Sequence, residues 1–226
     1  MPDLFALLPA LELVSHPLLE GRRITAVGVS AILYDEHAFL FEVTRPRHWG
    51  RTADGSPIVG VGGIGGRIEP GESALGCLRR EIREEVGAAL LLEPCRRTAL
   101  LSDGEFVTWL DLPRTQDHAV PYIISLLPPQ LERADRPDHL AIVTYRGVLQ
   151  GQPRRDDLFG LLSVERSALS QFFEREEWLL DEALVLPGLA FDLQSELPPG
   201  SVLRPTLTGR AFQVIWEHGS DLEVSP

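Results

Sequence analysis

GRIEPGESALGCLRREIREEVGA, residues 66–88, is the stretch on which the reading of the whole chain turns. Glu69-Pro70-Gly71-Glu72 is turn chemistry: proline presets φ at the second position, and glycine supplies the positive φ a type II turn needs at the third. Ser73 then fits a helix N-cap, the following residues predict a helix to about Val86, and Gly87 fits its stop. At roughly 100° per residue, Leu75, Leu78, Ile82 and Val86 share one arc, the face that packs on a sheet. Glu81, Glu84 and Glu85 share the neighbouring arc. Like charges at these spacings cost about 0.2–0.5 kcal/mol per pair in an isolated helix. A hard divalent cation such as Mg²⁺ favours such a set, since it takes oxygen ligands, few of them from protein. Arg80 is placed to pair with Glu72 and fix the turn against the helix. The plainer reading of the glutamates alone is a solvated acidic helix face.

The spacing is richer than three glutamates. Gly66, Glu72, Arg80, Glu81, Ile82, Glu84, Glu85, Gly87 and Ala88 fit the pattern G-x5-E-x7-R-E-U-x-E-E-x-G-U, where U is bulky and apolar. The positions that demand one residue type give a chance occurrence of about 10⁻⁸ per starting point. This segment resembles the Nudix box; Ala88, small for its slot, is the soft departure. The resemblance implies an α/β fold, a Nudix-type α/β/α sandwich with a mixed central sheet. It also implies Mg²⁺ (or Mn²⁺) as cofactor, with metal ligands among Glu81, Glu84, Glu85 and a carbonyl at the bend, Gly65 or Gly66. Many relatives carry Pro before the paired glycines, where this chain has Ile64.

The implied chemistry is hydrolysis of a P–O–P bond in a nucleoside diphosphate linked to another group. Metal held by the glutamates would neutralise the diphosphate and acidify water. A carboxylate takes the water's proton, and Glu81 or Glu84 is the favoured base, with Glu85 as ligand. Glu72 orients Arg80 or joins the metal shell through water, so Arg80 and Glu72 complete the catalytic set. In many relatives a late loop glutamate is the base instead, which brings Glu132, Asp135 and Asp138 into consideration. Where ADP-ribose-directed relatives have a Pro past the box, this chain has Asp103-Gly104. Where dinucleoside polyphosphate enzymes have a Tyr, the nearest aromatic is Phe106. The extensions beyond the core favour a nucleotide-sugar-like or ADP-ribose-like substrate over a minimal nucleotide. The alternative is a Nudix-fold sensor that binds a nucleotide without turnover; the complete carboxylate set argues against it.

Outward from the box, IVGVGGIGG (58–66) predicts a short strand entering a glycine-rich bend. Residues 24–34 and 38–43 read as a hairpin around Asp35-Glu36. Between hairpin and bend, TRPRHWGRTADGSP (44–57) is a loop whose Arg45, Arg47, Arg51, His48 and Trp49 form the most basic patch with an aromatic. Its functional reading is substrate binding, with Arg45 or Arg47 for phosphate and Trp49 for a base; Arg67, within the box, is a further substrate-binding candidate. The competing reading is a surface loop. Downstream, 89–92 and 97–101 are short apolar segments, and 105–112, 120–127 and 139–149 predict strands. A further strand or turn follows at 157–162. Ser163 reads as the cap of a helix to about Arg175, continued through Trp178 to Leu184. Residues 186–205 read mostly as loop, and 206–218 as a helix with Leu207, Ala211, Val214 and Ile215 inward. Residues 3–20 predict one or two helical pieces broken by prolines.

Composition sets the outer bounds. The chain of 226 residues suits a single domain with a core of about 24–180, an N-terminal helical extension over 1–20 and a C-terminal one over 185–226. The net charge of −12 argues against a duplex nucleic-acid partner, where phosphate neutralisation dominates affinity. Its 21 basic residues are all Arg. Cys77 and Cys95 lack metal or disulfide spacing and predict free buried thiols. No basic leader and no long apolar run appears, so the expectation is a cytoplasmic protein without a membrane partner, acting on a small-molecule nucleotide, with homodimerisation possible. The scattered histidines carry no signature and receive no catalytic role.

Overall fold

The computed structural model describes residues 1–113, 119–127 and 139–219. The expected loop candidates Glu132, Asp135 and Asp138 lie outside the described residues. In chain order the strands are β1 (Ile24–Tyr34), β2 (Ala38–Val43), β3 (Gly50–Arg51), β4 (Pro57–Gly62), β5 (Ile64–Gly66), β6 (Ala89–Leu92) and β7 (Thr98–Ser102). They continue with β8 (Glu105–Leu110), β9 (Ile123–Leu127), β10 (His139–Gln150), β11 (Gly160–Glu165), β12 (Trp178–Leu179), β13 (Leu189–Leu193) and β14 (Val202–Pro205). The helices are α1 (Leu4–Leu7), α2 (Ala74–Val86), α3 (Leu169–Phe173), α4 (Leu180–Leu184) and α5 (Thr208–Glu217).

Among the described residues these strands form one mixed sheet with the path β12-β14-β4-β2-β1-β10-β9-β7-β8. β1 is central: it runs parallel to β10 and antiparallel to β2 and β5. Its second half is buried throughout, because both sheet faces are covered there. Helices lie on both sides. On one side Leu78, Ile82 and Val86 of α2 join Leu4, Leu8 and Leu11 of the N-terminal extension and Val143 and Tyr145 of β10. On the other, Phe172 and Phe173 of α3 and Phe212 of α5 pack on Phe39 and Phe41 of β2. Phe212 meets Phe39 at 5.5 Å and Phe173 edge-on at 5.4 Å. Burying one such ring contributes about 1.5–3 kcal/mol.

The alternation of β2 decides what faces α2. Phe39, Phe41 and Val43 point to the α5 side, whereas Leu40 belongs to the α2 side. By the same period of two, Glu42 shares the α2 side.

The hairpin, the box helix and the N-terminal helical pieces follow the sequence reading. The region after β10 corrects it. Ser163 caps no helix: it lies within β11, opposite Leu40 of β2. The helix that follows is only Leu169–Phe173, and Trp178 sits not on a helix but on β12, opposite Leu203. Trp178 is nonetheless buried, as expected. The stretch 186–205 contains β13 and β14, so the described residues after 185 carry two strands ahead of α5. β14 runs parallel to β4, with Val202 opposite Ile58 and Pro205 opposite Val61. Leu207 is 63% exposed with φ 45° at the entrance to α5, while Ala211, Val214 and Ile215 are buried as predicted.

Candidate active site

The box segment is built as its chemistry requires. Glu72 donates its backbone N–H to the Glu69 carbonyl at 3.1 Å, and Gly71 between them has φ 82°. Ser73 Oγ accepts the Gly76 N–H at 3.1 Å and opens α2; Gly87, at φ 61°, closes it. Beyond the helix, the backbone N–H groups of Arg154 and Asp156 donate to the Val86 and Glu85 carbonyls, each at 3.0 Å. These helix-end carbonyls lack partners within the helix itself. This contact brings residues 154–157 against the carboxylate end of α2.

At the other wall, β5 is held on β1, with Gly66 opposite Val29 and Gly65 opposite Ser30. A Cβ on Gly65 (φ 153°) would stand 2.3 Å from the Val29 carbonyl oxygen, so only glycine allows this approach. At Gly66 the constraint is of another kind: the neighbour is the Glu81 carboxylate, a side-chain end that lies directly against it.

Arg80 is the hub. Its Nε and Nη2 donate to Glu72 Oε1 and Oε2, both at 3.0 Å, as the sequence reading expects. Its Nη1 donates to Glu81 Oε1 at 2.7 Å and to Glu84 Oε2 at 3.3 Å, and Nη2 also reaches the Arg67 carbonyl. The guanidinium hydrogen-bonded to Glu72 holds that carboxyl below its usual range. Glu72 and Glu81 in turn hold the Arg80 proton more firmly than usual.

Glu85 has the opposite environment. Burial first, then the nearby charges of Glu42 and Glu81, push its carboxyl up to about 8, against a weaker opposing bond from the Gly65 backbone. Its Oε2 is buried and has no hydrogen-bond partner among the described residues. Glu42 is also raised, by burial above all, with Arg45 opposing and Glu81 adding to the effect. Glu42 and Asp157 are the members that sequence reasoning missed. The available signal for Glu42 was a single charge in an otherwise apolar strand, AFLFEV.

The substrate-binding candidates are placed less uniformly. Arg45 pairs with Asp157 Oδ2 at 3.1 Å and also bonds the Asp157 carbonyl, which sets it beside the carboxylates. Trp49 is committed to the fold: its indole N–H donates to the Thr44 carbonyl at 2.7 Å and its ring meets Phe159 edge-on at 5.7 Å. Arg47 is exposed and donates to His48 at 3.0 Å. The Arg67 side chain is exposed on the turn before the helix.

A divalent ion is the group this donor set suits. The donors are all hard oxygens, and the buried, unpartnered Glu85 Oε2 among like-charged neighbours is the position that a cation would satisfy. Arg80 pairs with Glu81 and Glu84 beside it. Among the described residues no three acidic, His or Cys side chains converge at ligand spacing.

A family model, the NUDIX domain, matches residues 24–172. The chain therefore belongs to the Nudix family. No curated protein matches the sequence. Among solved structures, the chain is similar to a MutT NUDIX hydrolase from Burkholderia pseudomallei at 17% identity, covering 86% of this chain and 99% of that one, with a TM-score of 0.34. A nudix hydrolase family member from Chromobacterium violaceum is similar at 16% identity over 89% and 82% of the two chains, TM-score 0.36. The ORF135 protein of E. coli is similar at 15% identity over 62% and 74%, TM-score 0.36. No helix among the described residues is long and apolar enough to cross a membrane.

Proposed function

We propose that this protein is a divalent-cation-dependent hydrolase that cleaves the P–O–P bond of a nucleoside diphosphate joined to a second group. The observation that carries the reading is Glu85: a box carboxylate with a buried, unpartnered oxygen, surrounded by other carboxylates, in a chain of the Nudix family. Glu81, Glu84 and Glu85, with a carbonyl of the Gly65-Gly66 bend, would hold Mg²⁺ or Mn²⁺. When bound, the ion supplies charge neutralisation of the diphosphate and a lowered pKa for water.

The remaining work falls to the chain itself. Glu81 or Glu84 accepts the proton of the attacking water; both already lie beside Arg80, whose release from either would leave a carboxylate ready to do so. Glu72 fixes the Arg80 fork. Arg45, anchored by Asp157 at the edge of the carboxylates, meets the substrate's outer phosphate, and Arg47 and Arg67 add positive charge at the approach. Trp49 forms a rigid wall on that side. A nucleotide-sugar-like or ADP-ribose-like substrate fits this reading best.

The test is hydrolysis of a panel with Mg²⁺ or Mn²⁺: ADP-ribose, nucleotide sugars, dinucleoside polyphosphates, nucleoside triphosphates, NADH and coenzyme A. Phosphate-containing product should appear with the native protein and fall at least about 10²-fold with Glu85→Gln. A nucleotide that binds both proteins equally and is cleaved by neither would establish the sensor reading instead.

A further inference from the structure

A cavity of about 600 Å³ lies between the N-terminal extension and the box turn, in the size range of sites for small organic ligands. Leu7 and Leu8 of the extension, Pro70 and Leu75 of the box, and Tyr145 of β10 are among its walls. Glu81, Glu84 and Glu85 do not line it, so it is separate from the carboxylate cluster. The charged side chains that line it are Glu69 and Glu72, with no arginine among its walls. No cationic side chain is present there to hold a phosphate, so the lining suits an uncharged occupant better than an anionic nucleotide.

Tyr145 supplies the specific feature. The residue is 2% exposed, yet its hydroxyl makes no hydrogen bond among the described residues, and burial alone raises its pKa. A tyrosine ring buried this deeply usually has its hydroxyl engaged by a partner. Here Tyr145 is part of the wall of a cavity that combines apolar side chains with the polar box turn, and its hydroxyl is open to whatever occupies that cavity.

We infer that this cavity is a binding site for an uncharged, mainly apolar small molecule that presents one hydrogen-bond acceptor to the Tyr145 hydroxyl. None of the proposed metal ligands belongs to the site; Glu72, which fixes the Arg80 fork, is the one residue of the proposed catalytic set that it shares.

Fluorescence titration of the full chain with prodan, an uncharged dialkylaminonaphthalene ketone, tests this, alongside the parent naphthalene that lacks the carbonyl. Both probes should bind saturably, one per chain. Tyr145→Phe, which keeps the ring, should weaken prodan about tenfold, the worth of one hydrogen bond to a buried partner, and change the parent less than about twofold. Ala6→Trp, which fills the cavity from its exposed rim, should abolish both, whereas Glu85→Gln should leave both unchanged. Circular dichroism confirms that each variant is folded; should Ala6→Trp fail to fold, the prodan-to-parent contrast in Tyr145→Phe decides alone. The inference is overturned if the native protein binds neither probe saturably, if a folded Ala6→Trp binds as the native protein does, or if Tyr145→Phe weakens both probes alike.

Discussion

The Glu81 carboxylate rests on the bare Cα of Gly66: a Cβ built there would stand 2.2 Å from Oε1 and 2.3 Å from the carboxyl carbon. The first glycine of the box is thus the floor on which one of its glutamates lies. Gly66→Ala should fold, because the clash is with the far end of a side chain, but it should displace that carboxylate. Misplacement of a catalytic group by about 1 Å can cost about 10²-fold. A steady-state assay on the best panel substrate should show a loss of that order, with a melting temperature close to that of the native protein.

Arg80 satisfies both oxygens of Glu72 and one of Glu81 with a planar fork. A lysine keeps the charge and loses the fork. Arg80→Lys should therefore lower the hydrolysis rate at least about tenfold while the far-ultraviolet dichroism stays native. Equal activity in the two proteins would show that charge alone suffices.

Glu85 gives a pH signature. Its folded-state value of about 8 lies above the ordinary 4.5, so the folded protein retains a proton that the unfolded chain gives up. The resulting stability is fully present below that ordinary value and is lost as pH rises through about 8. Glu42 shifts in the same direction. With a chelator present, melting temperature should fall by several degrees between about pH 5 and pH 8, and Glu85→Gln should flatten the fall. Apparent Mg²⁺ affinity should rise over the same interval, because the ligand must shed its proton first. Calorimetry in buffers of different ionisation enthalpy would detect that proton.

The parts legible in the sequence are those that local chemistry decides. β1 and β2 fall where the β-branched runs and the Asp35-Glu36 turn put them, and α2 begins and ends on Ser73 and Gly87. Illegible were the segments whose structure is imposed from far away. Ser163 has the chemistry of a cap, but pairing of β11 with both β2 and β13 holds it extended. Trp178 is drawn into a strand by Leu203, distant in sequence. The acidic face of α2 was readable from spacing alone. Glu42 and Asp157 approach it only because β2 alternates and because residues 154–157 fold back on the end of α2.

Gly87 is tested through its backbone. At φ 61° any other L-residue is strained, and a Cβ would lie 2.5 Å from Asp156 Oδ2. Gly87→Ala should cost about 1–2 kcal/mol, a fall of about 2–8 °C in melting temperature for a chain of this size. Gly87→Asn, which tolerates the left-handed region better, should lose less.

Cys77 and Cys95 are both buried, and burial with the neighbouring Glu72 charge pushes the Cys77 thiol up to about 12. Neither should react with iodoacetamide at neutral pH in the folded protein, since the thiolate is the nucleophile. Mass spectrometry should show two added groups only in denaturant.

The pairing of β14 with β4 has a consequence for anyone cutting the gene. A fragment ending at residue 172 would retain the whole family match yet strip β4 of a neighbour and remove the Thr208 hydroxyl that bonds Ser30 of β1 at 2.7 Å. With Phe212 gone, Phe39 and Phe41 would face water beside a raw strand edge, the recipe for self-association. The homology boundary and the shortest piece that keeps these rings covered are therefore different lengths of chain.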